Sequence, residues 1–92
     1  MNYIISYDIS SDKQRKKASN ILEEFGVRIQ YSVFQCELKK KEQLMLKNKL
    51  NEIINSKTDS VYFLPFCENC LNKRIMIGSE FSIRKINVLT IE

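Results

Sequence analysis

The chain has 92 residues, 43% apolar and 28% charged, with a formal charge of +4; this suits a single globular core and lies outside the composition of disordered chains. It has no histidine, which excludes a nuclease built on a histidine acid and base and any Ser-His-Asp triad, so hydrolysis here would need metal-bound water or another base. No apolar run reaches the ~20 residues of a bilayer span, the start Met1-Asn2-Tyr3-Ile4-Ile5 lacks the features of a signal peptide, and three cysteines suit reduced thiols, so the expected location is the cytoplasm with no membrane partner.

Tyr3 to Tyr7 is a run of β-branched and aromatic residues that predicts a strand ending at Asp8. Ser10, Ser11 and Asp12 offer N-caps for a helix whose apolar residues Ala18, Ile21, Leu22 and Phe25 recur at helical spacing, with Gly26 as its expected C-cap. Val27 to Leu38 is β-like but about twice the usual strand length. It is expected to fold back at Gln30-Tyr31-Ser32 into strands Val27 to Gln30 and Val33 to Leu38. A second helix follows from Lys40 to Asn55, with Leu46, Leu50, Ile53 and Ile54 on one stripe. Ser60 to Phe66 reads as a strand that Pro65 confines to an edge or strand end.

This order is the α+β, ferredoxin-like βαββαβ pattern, in which right-handed crossovers put both helices on one face of the sheet. The core is expected over about residues 1–78 of one domain. Apolar groups on both sides of the strands, such as Ile4 with Ile5 and Tyr62 with Phe63, call for a second cover, and a two-fold homodimer is the economical one. Beyond the core, Cys67 to Lys73 reads as a turn and Arg74 to Ile77 as a short strand. The segment 79–92, with its β-like stretch Phe81 to Ile91, is expected to add a C-terminal strand to its own sheet or the partner's.

Asp8 is the candidate for chemistry, because functional groups in sheets with βαβ crossovers collect beyond the carboxyl ends of the strands. The competing reading is an Asx-turn residue that bonds the backbone around Ile9 and Ser10. One carboxylate alone is a poor Mg²⁺ site. A copy of Asp8 across a two-fold axis would supply a second and allow metal-assisted attack of water on a phosphodiester, leaving a 5′-phosphate and a 3′-hydroxyl. Lys13, Arg15, Lys16, Lys17 and Arg28 are candidates for holding phosphates of RNA or DNA, against the ordinary reading of a solvated helix face. Tyr7, Tyr31 and Phe34 are candidates for stacking on bases, against packing in the core or an interface. Cys67-Glu68-Asn69-Cys70 has the CxxC spacing of a zinc knuckle or a redox pair, but no second CxxC or histidine completes a four-ligand zinc site, and a redox pair would want a strand-to-helix turn, whereas here the motif is expected between strands. It reads as a structural turn between strands, with Cys36 a buried small apolar residue.

The residues Ser6-Tyr7-Asp8-Ile9, Arg15, Gly26 through Phe34, Cys36-Glu37-Leu38 and Asp59-Ser60-Val61 together closely resemble the CRISPR-associated Cas-two family, the small endoribonuclease-like subunit of the spacer-acquisition machinery. The resemblance runs from the first strand to about Phe66. It implies a homodimer whose carboxyl-terminal strand joins the other subunit's sheet, and a Mg²⁺-dependent phosphodiesterase for which Asp8 is the matching carboxylate. It also implies RNA or DNA as substrate and a Cas-one integrase partner that the dimer bridges. Tyr7, Arg15, Arg28 and Phe34 fall on motif positions that support activity or substrate binding in relatives, whereas Gln14 and Gln35 stand where charged residues are common. Two other roles fit the same scaffold: a non-catalytic DNA-bridging subunit and a toxin-like ribonuclease.

Overall fold

The computed structural model describes residues 1–75, 77 and 78. Their elements are β1 (Asn2–Asp8), α1 (Asp12–Glu23), β2 (Gly26–Gln30), β3 (Val33–Glu37), α2 (Lys40–Ile53), β4 (Ser60–Phe66) and a short α3 (Glu68–Asn72). The four strands form one sheet in the order β2-β3-β1-β4, with every neighbouring pair antiparallel. Each helix therefore carries the chain over one intervening strand, which makes the fold ferredoxin-like α+β.

Register follows the pleat. In β1, Ile5 and Tyr7 point to the helices and are buried with Phe34 and Cys36 of β3. Ala18 and Leu22 of α1 and Leu46 and Leu50 of α2 close the same core. Full burial of each leucine contributes about 2 kcal/mol by transfer from water. Burial also pushes the Cys36 thiol up to about 11, so it behaves as the small apolar core residue expected. On the opposite face Ile4 lies between Gln35 and Leu64, and Ser6 between Val33 and Tyr62. Tyr62 and Leu64 are exposed at 71% and 61%, so apolar groups do lie on both sides of the sheet.

The reading of Gly26 and the end of the second helix need correction, whereas the fold-back at Gln30-Tyr31-Ser32 and the edge placement of Pro65 are as expected. Gly26 is not a helix C-cap: α1 ends with Glu24 in right-handed helical geometry, and Gly26 opens β2 opposite Cys36. A Cβ there would lie 2.2 Å from the Gln35 carbonyl oxygen and 2.6 Å from Cys36 Sγ, so glycine is required by close strand approach rather than by a positive φ. The hairpin turns at Tyr31-Ser32, with a register shift between Arg28 and Gln30, and Tyr7 N–H ties the turn to β1 through Ser32 O at 3.1 Å. Helix α2 stops at Ile53, short of Asn55, because Asn55 O receives the N–H groups of Thr58 and Asp59 in a new turn. Pro65 sits in β4, the edge strand, where no ladder bond is lost on the open side.

Past β4 the chain forms a helix where a turn between strands was expected, anchored by the buried Leu71. Arg74, Ile75 and Ile77 belong to no strand, and Arg74 instead donates from Nη1 to Leu71 O at 2.7 Å. Met76 and the expected C-terminal strand in 79–92 lie outside the described residues. Among the described residues no helix is long and apolar enough to cross a membrane.

Candidate functional site

Asp8 is the last residue of β1, opposite Ser60, the first residue of β4, and its side chain is exposed. The loop that follows is held without its help. Ser10 N–H donates to Asp59 Oδ1 at 3.1 Å, and Arg15 Nη1 donates to Ile9 O at 2.7 Å. Ser11 caps α1, its Oγ accepting from Gln14 N–H at 3.3 Å. The Asx-turn reading of Asp8 is thus displaced: the Ser10 N–H it would have served bonds Asp59 instead, and its carboxylate has no hydrogen-bond or ion-pair partner among the described residues.

Asp59 is the residue that sequence reasoning passed over as a functional position. Its Oδ2 accepts from Asn55 N–H at 2.9 Å and its Oδ1 from Thr58 Oγ1 at 3.1 Å, besides Ser10. The backbone N–H of Asn55 and then that of Ser10 hold its pKa below the ordinary carboxylate value. It joins the α2–β4 turn to the β1–α1 loop and so fixes both sides of the ledge that presents Asp8. The signal was available as an Asn and an Asp bracketing a polar turn just before a strand.

The predicted basic set divides in two. Lys13, Lys16 and Lys17 are exposed on α1 and make no ion pair among the described residues. Arg15 and Arg28 are committed to the fold. Arg15 also bonds Asp12 Oδ1. Arg28 bonds Tyr31 O and Ser19 Oγ, lies 3.5 Å from Glu23 Oε2, and places its guanidinium 4.8 Å from the centre of the Phe34 ring. It clamps the β2–β3 turn to α1.

Base stacking by Tyr7 and Phe34 is corrected by their burial. Phe34 is wholly buried and Tyr7 is 7% exposed, and the rings stack on each other at 6.4 Å between centroids. Their role in this subunit is to pack beneath the carboxyl end of β1. Tyr31, by contrast, is 86% exposed at the hairpin tip. Gln14 serves structure too, donating from Nε2 to Ile53 O at the end of α2 at 2.6 Å. A cleft lined by Lys47, Asn48, Ile54, Val61 and Phe63 opens between α2 and β4 and includes none of the predicted site residues.

No group of three or more His, Cys, Asp or Glu side chains is placed to hold a metal among the described residues. One subunit therefore offers Asp8 as a single free carboxylate. That is consistent with a metal only if a second copy and a phosphate complete the ligand set.

The family model of the CRISPR associated protein Cas2 matches residues 1–74. The chain is 42% identical over 71 residues to CRISPR-associated endoribonuclease Cas2 3 of Synechocystis sp. (strain ATCC 27184 / PCC 6803 / Kazusa), covering 77% of each chain. Its structure is similar to the crystal structure of Streptococcus pyogenes Cas2 at pH 6.5, with a TM-score of 0.75, 28% identity, and coverage of 85% of this chain and all of that one. It is likewise similar to a chain of a partial Cas6-RT-Cas1–Cas2 complex, with a TM-score of 0.76, 26% identity, and coverage of 90% and 91%. With the ferredoxin-like sheet, these likenesses establish that the chain belongs to the CRISPR-associated Cas2 family.

Proposed function

We propose that this chain is a Mg²⁺-dependent endonuclease subunit that acts as a homodimer on RNA or DNA during CRISPR adaptation, with Asp8 its catalytic residue. The observation that carries this reading is the unengaged carboxylate at the carboxyl end of β1, beside a loop whose Ser10 N–H and Ile9 carbonyl are held by Asp59 and Arg15. A carboxylate kept exposed while its neighbours take over the local hydrogen bonds is available for a cation or substrate. The relative from Synechocystis carries the name endoribonuclease, which favours phosphodiester hydrolysis over other uses of a free acid.

Each subunit contributes one such carboxylate, so Asp8 and its copy would together hold Mg²⁺, which normally takes one or two carboxylates with phosphate oxygens and water. Mg²⁺ bound there supplies the positive charge that polarises a phosphodiester toward hydrolysis. The protein's own groups do the rest. Arg15 and Asp59 keep the loops on either side of Asp8 in place. Lys13, Lys16 and Lys17 attract the nucleic-acid backbone as point charges. The apolar residues Tyr62 and Leu64 on the helix-free face favour contact with a second copy, which the shared site requires.

A second role is favoured by the likeness to a chain in a partial Cas6-RT-Cas1–Cas2 complex: the dimer bridges Cas1 integrase subunits on DNA. The two roles separate on comparison of the unaltered protein with Asp8→Asn, each assayed for cleavage and for spacer integration with Cas1. Cleavage lost while integration persists assigns Asp8 to catalysis and the scaffold to bridging. Undiminished Mg²⁺-dependent cleavage by Asp8→Asn contradicts the proposed catalytic role.

A further inference from the structure

We infer that Cys67 and Cys70 form a reversible dithiol/disulfide pair, a redox site that exchanges with disulfides of the glutathione type. Three observations converge on it. The two sulfurs lie 3.4 Å apart, in thiol–thiol contact, and both cysteines are exposed. The motif lies at a strand-to-helix junction, with β4 ending at Phe66 and α3 beginning at Glu68, rather than in a turn between strands. The backbone N–H of Cys70, and then its thiol, also hold the Cys67 pKa below the ordinary thiol value. Thiolate character makes Cys67 the attacking sulfur. The third cysteine, Cys36, is buried with its thiol pushed up to about 11, and takes no part.

Exchange proceeds in two balanced steps. The Cys67 thiolate attacks one sulfur of oxidised glutathione, forming a mixed disulfide and releasing one glutathione thiolate. Cys70 then attacks Cys67 Sγ, closing the protein disulfide and expelling the second glutathione thiolate; the protons of the two cysteines end on the two glutathione thiols. The oxidant is reduced by two electrons and the protein loses two hydrogens. The bond closes within α3 and its N-cap, at the point where the chain leaves the sheet.

The test is alkylation of the full chain after equilibration in glutathione buffers of increasing oxidised fraction, with thiols counted by mass before and after denaturation. The reduced protein is expected to alkylate rapidly at two positions when native and at all three cysteines when denatured. The oxidised protein is expected to alkylate only at Cys36, to weigh two hydrogens less and to carry no intermolecular crosslink. Cys70→Ser should accumulate a glutathione adduct on Cys67, and Cys67→Ser should form far less. Three alkylatable thiols at the most oxidising ratio would overturn the proposal. So would a crosslink only between chains, or protection of both thiols by co-purified zinc that a chelator removes. None of these readouts depends on nuclease activity.

Discussion

Ser10 N–H reaches Asp59 Oδ1 at 3.1 Å across a sequence separation of 49 residues, and this bond leaves Asp8 unengaged. Asp59 serves as the structural acid and leaves its neighbour on the ledge available for chemistry.

That division predicts a pH signature. The folded pKa of Asp59 is depressed by the N–H groups of Asn55 and Ser10, so its stabilising contribution is full above the unfolded carboxylate value of about 4 and is lost as pH falls through the lower folded value. Asp59→Asn should melt below the unaltered protein near neutral pH. The gap should close as pH drops below about 4. Thermal melts of both proteins across this range provide the check, and a gap independent of pH would count against the linkage.

Gly26→Ala should destabilise the fold by about 2 to 3 kcal/mol, because the added methyl meets the Gln35 backbone oxygen and the side chain of Cys36 rather than open space. Denaturation midpoints in urea would register the loss. Gly78, at φ +94° with nothing near an added Cβ among the described residues, should respond through backbone strain, costing about 1 kcal/mol on substitution by alanine.

The arginines and lysines should separate by assay. Arg28→Ala removes bonds to Tyr31 O and Ser19 Oγ and the contact over Phe34, at a cost of about 1 to 2 kcal/mol in stability. Replacing Lys13, Lys16 or Lys17 with alanine should leave the melting temperature within a degree or two, about the scale of a surface change. Each lysine that touches a phosphate should also lower the slope of log affinity against log salt by about 0.7 to 0.9. Binding titrations at several salt concentrations test this, and unchanged slopes would remove the lysines from the interface.

Much of the fold was legible because its signals are local and repeated. Ala18, Leu22, Leu46 and Leu50 carry the helical period, and Ile5, Tyr7, Phe34 and Cys36 the strand period, so the residues that fill the core mark themselves. That Asp8 ends a strand was legible from the β-like run before it. What escaped depends on contacts distant in sequence. Gly26 looks like a helix stop until β3 is laid against it, and Arg28 looks like a free cation until Tyr31 and Ser19 close around it. Tyr7 and Phe34 look like stacking rings until the pleat turns them inward. The helix after β4 is too short to carry a period, so Cys67 and Cys70 gave no sign that they share a turn of it.

The most direct test of the central claim is cleavage of labelled single-stranded RNA and double-stranded DNA by purified protein, with Mg²⁺ or with chelator, alongside Asp8→Asn of equal melting temperature. Asp8 is exposed and bonded to nothing among the described residues, so the substitution should leave the fold unchanged. The expected result is Mg²⁺-dependent cleavage giving 5′-phosphate ends, reduced at least about 100-fold in Asp8→Asn, the scale on which loss of an essential catalytic group is felt. Cleavage of equal rate by the two proteins, or cleavage indifferent to chelator, would contradict the account.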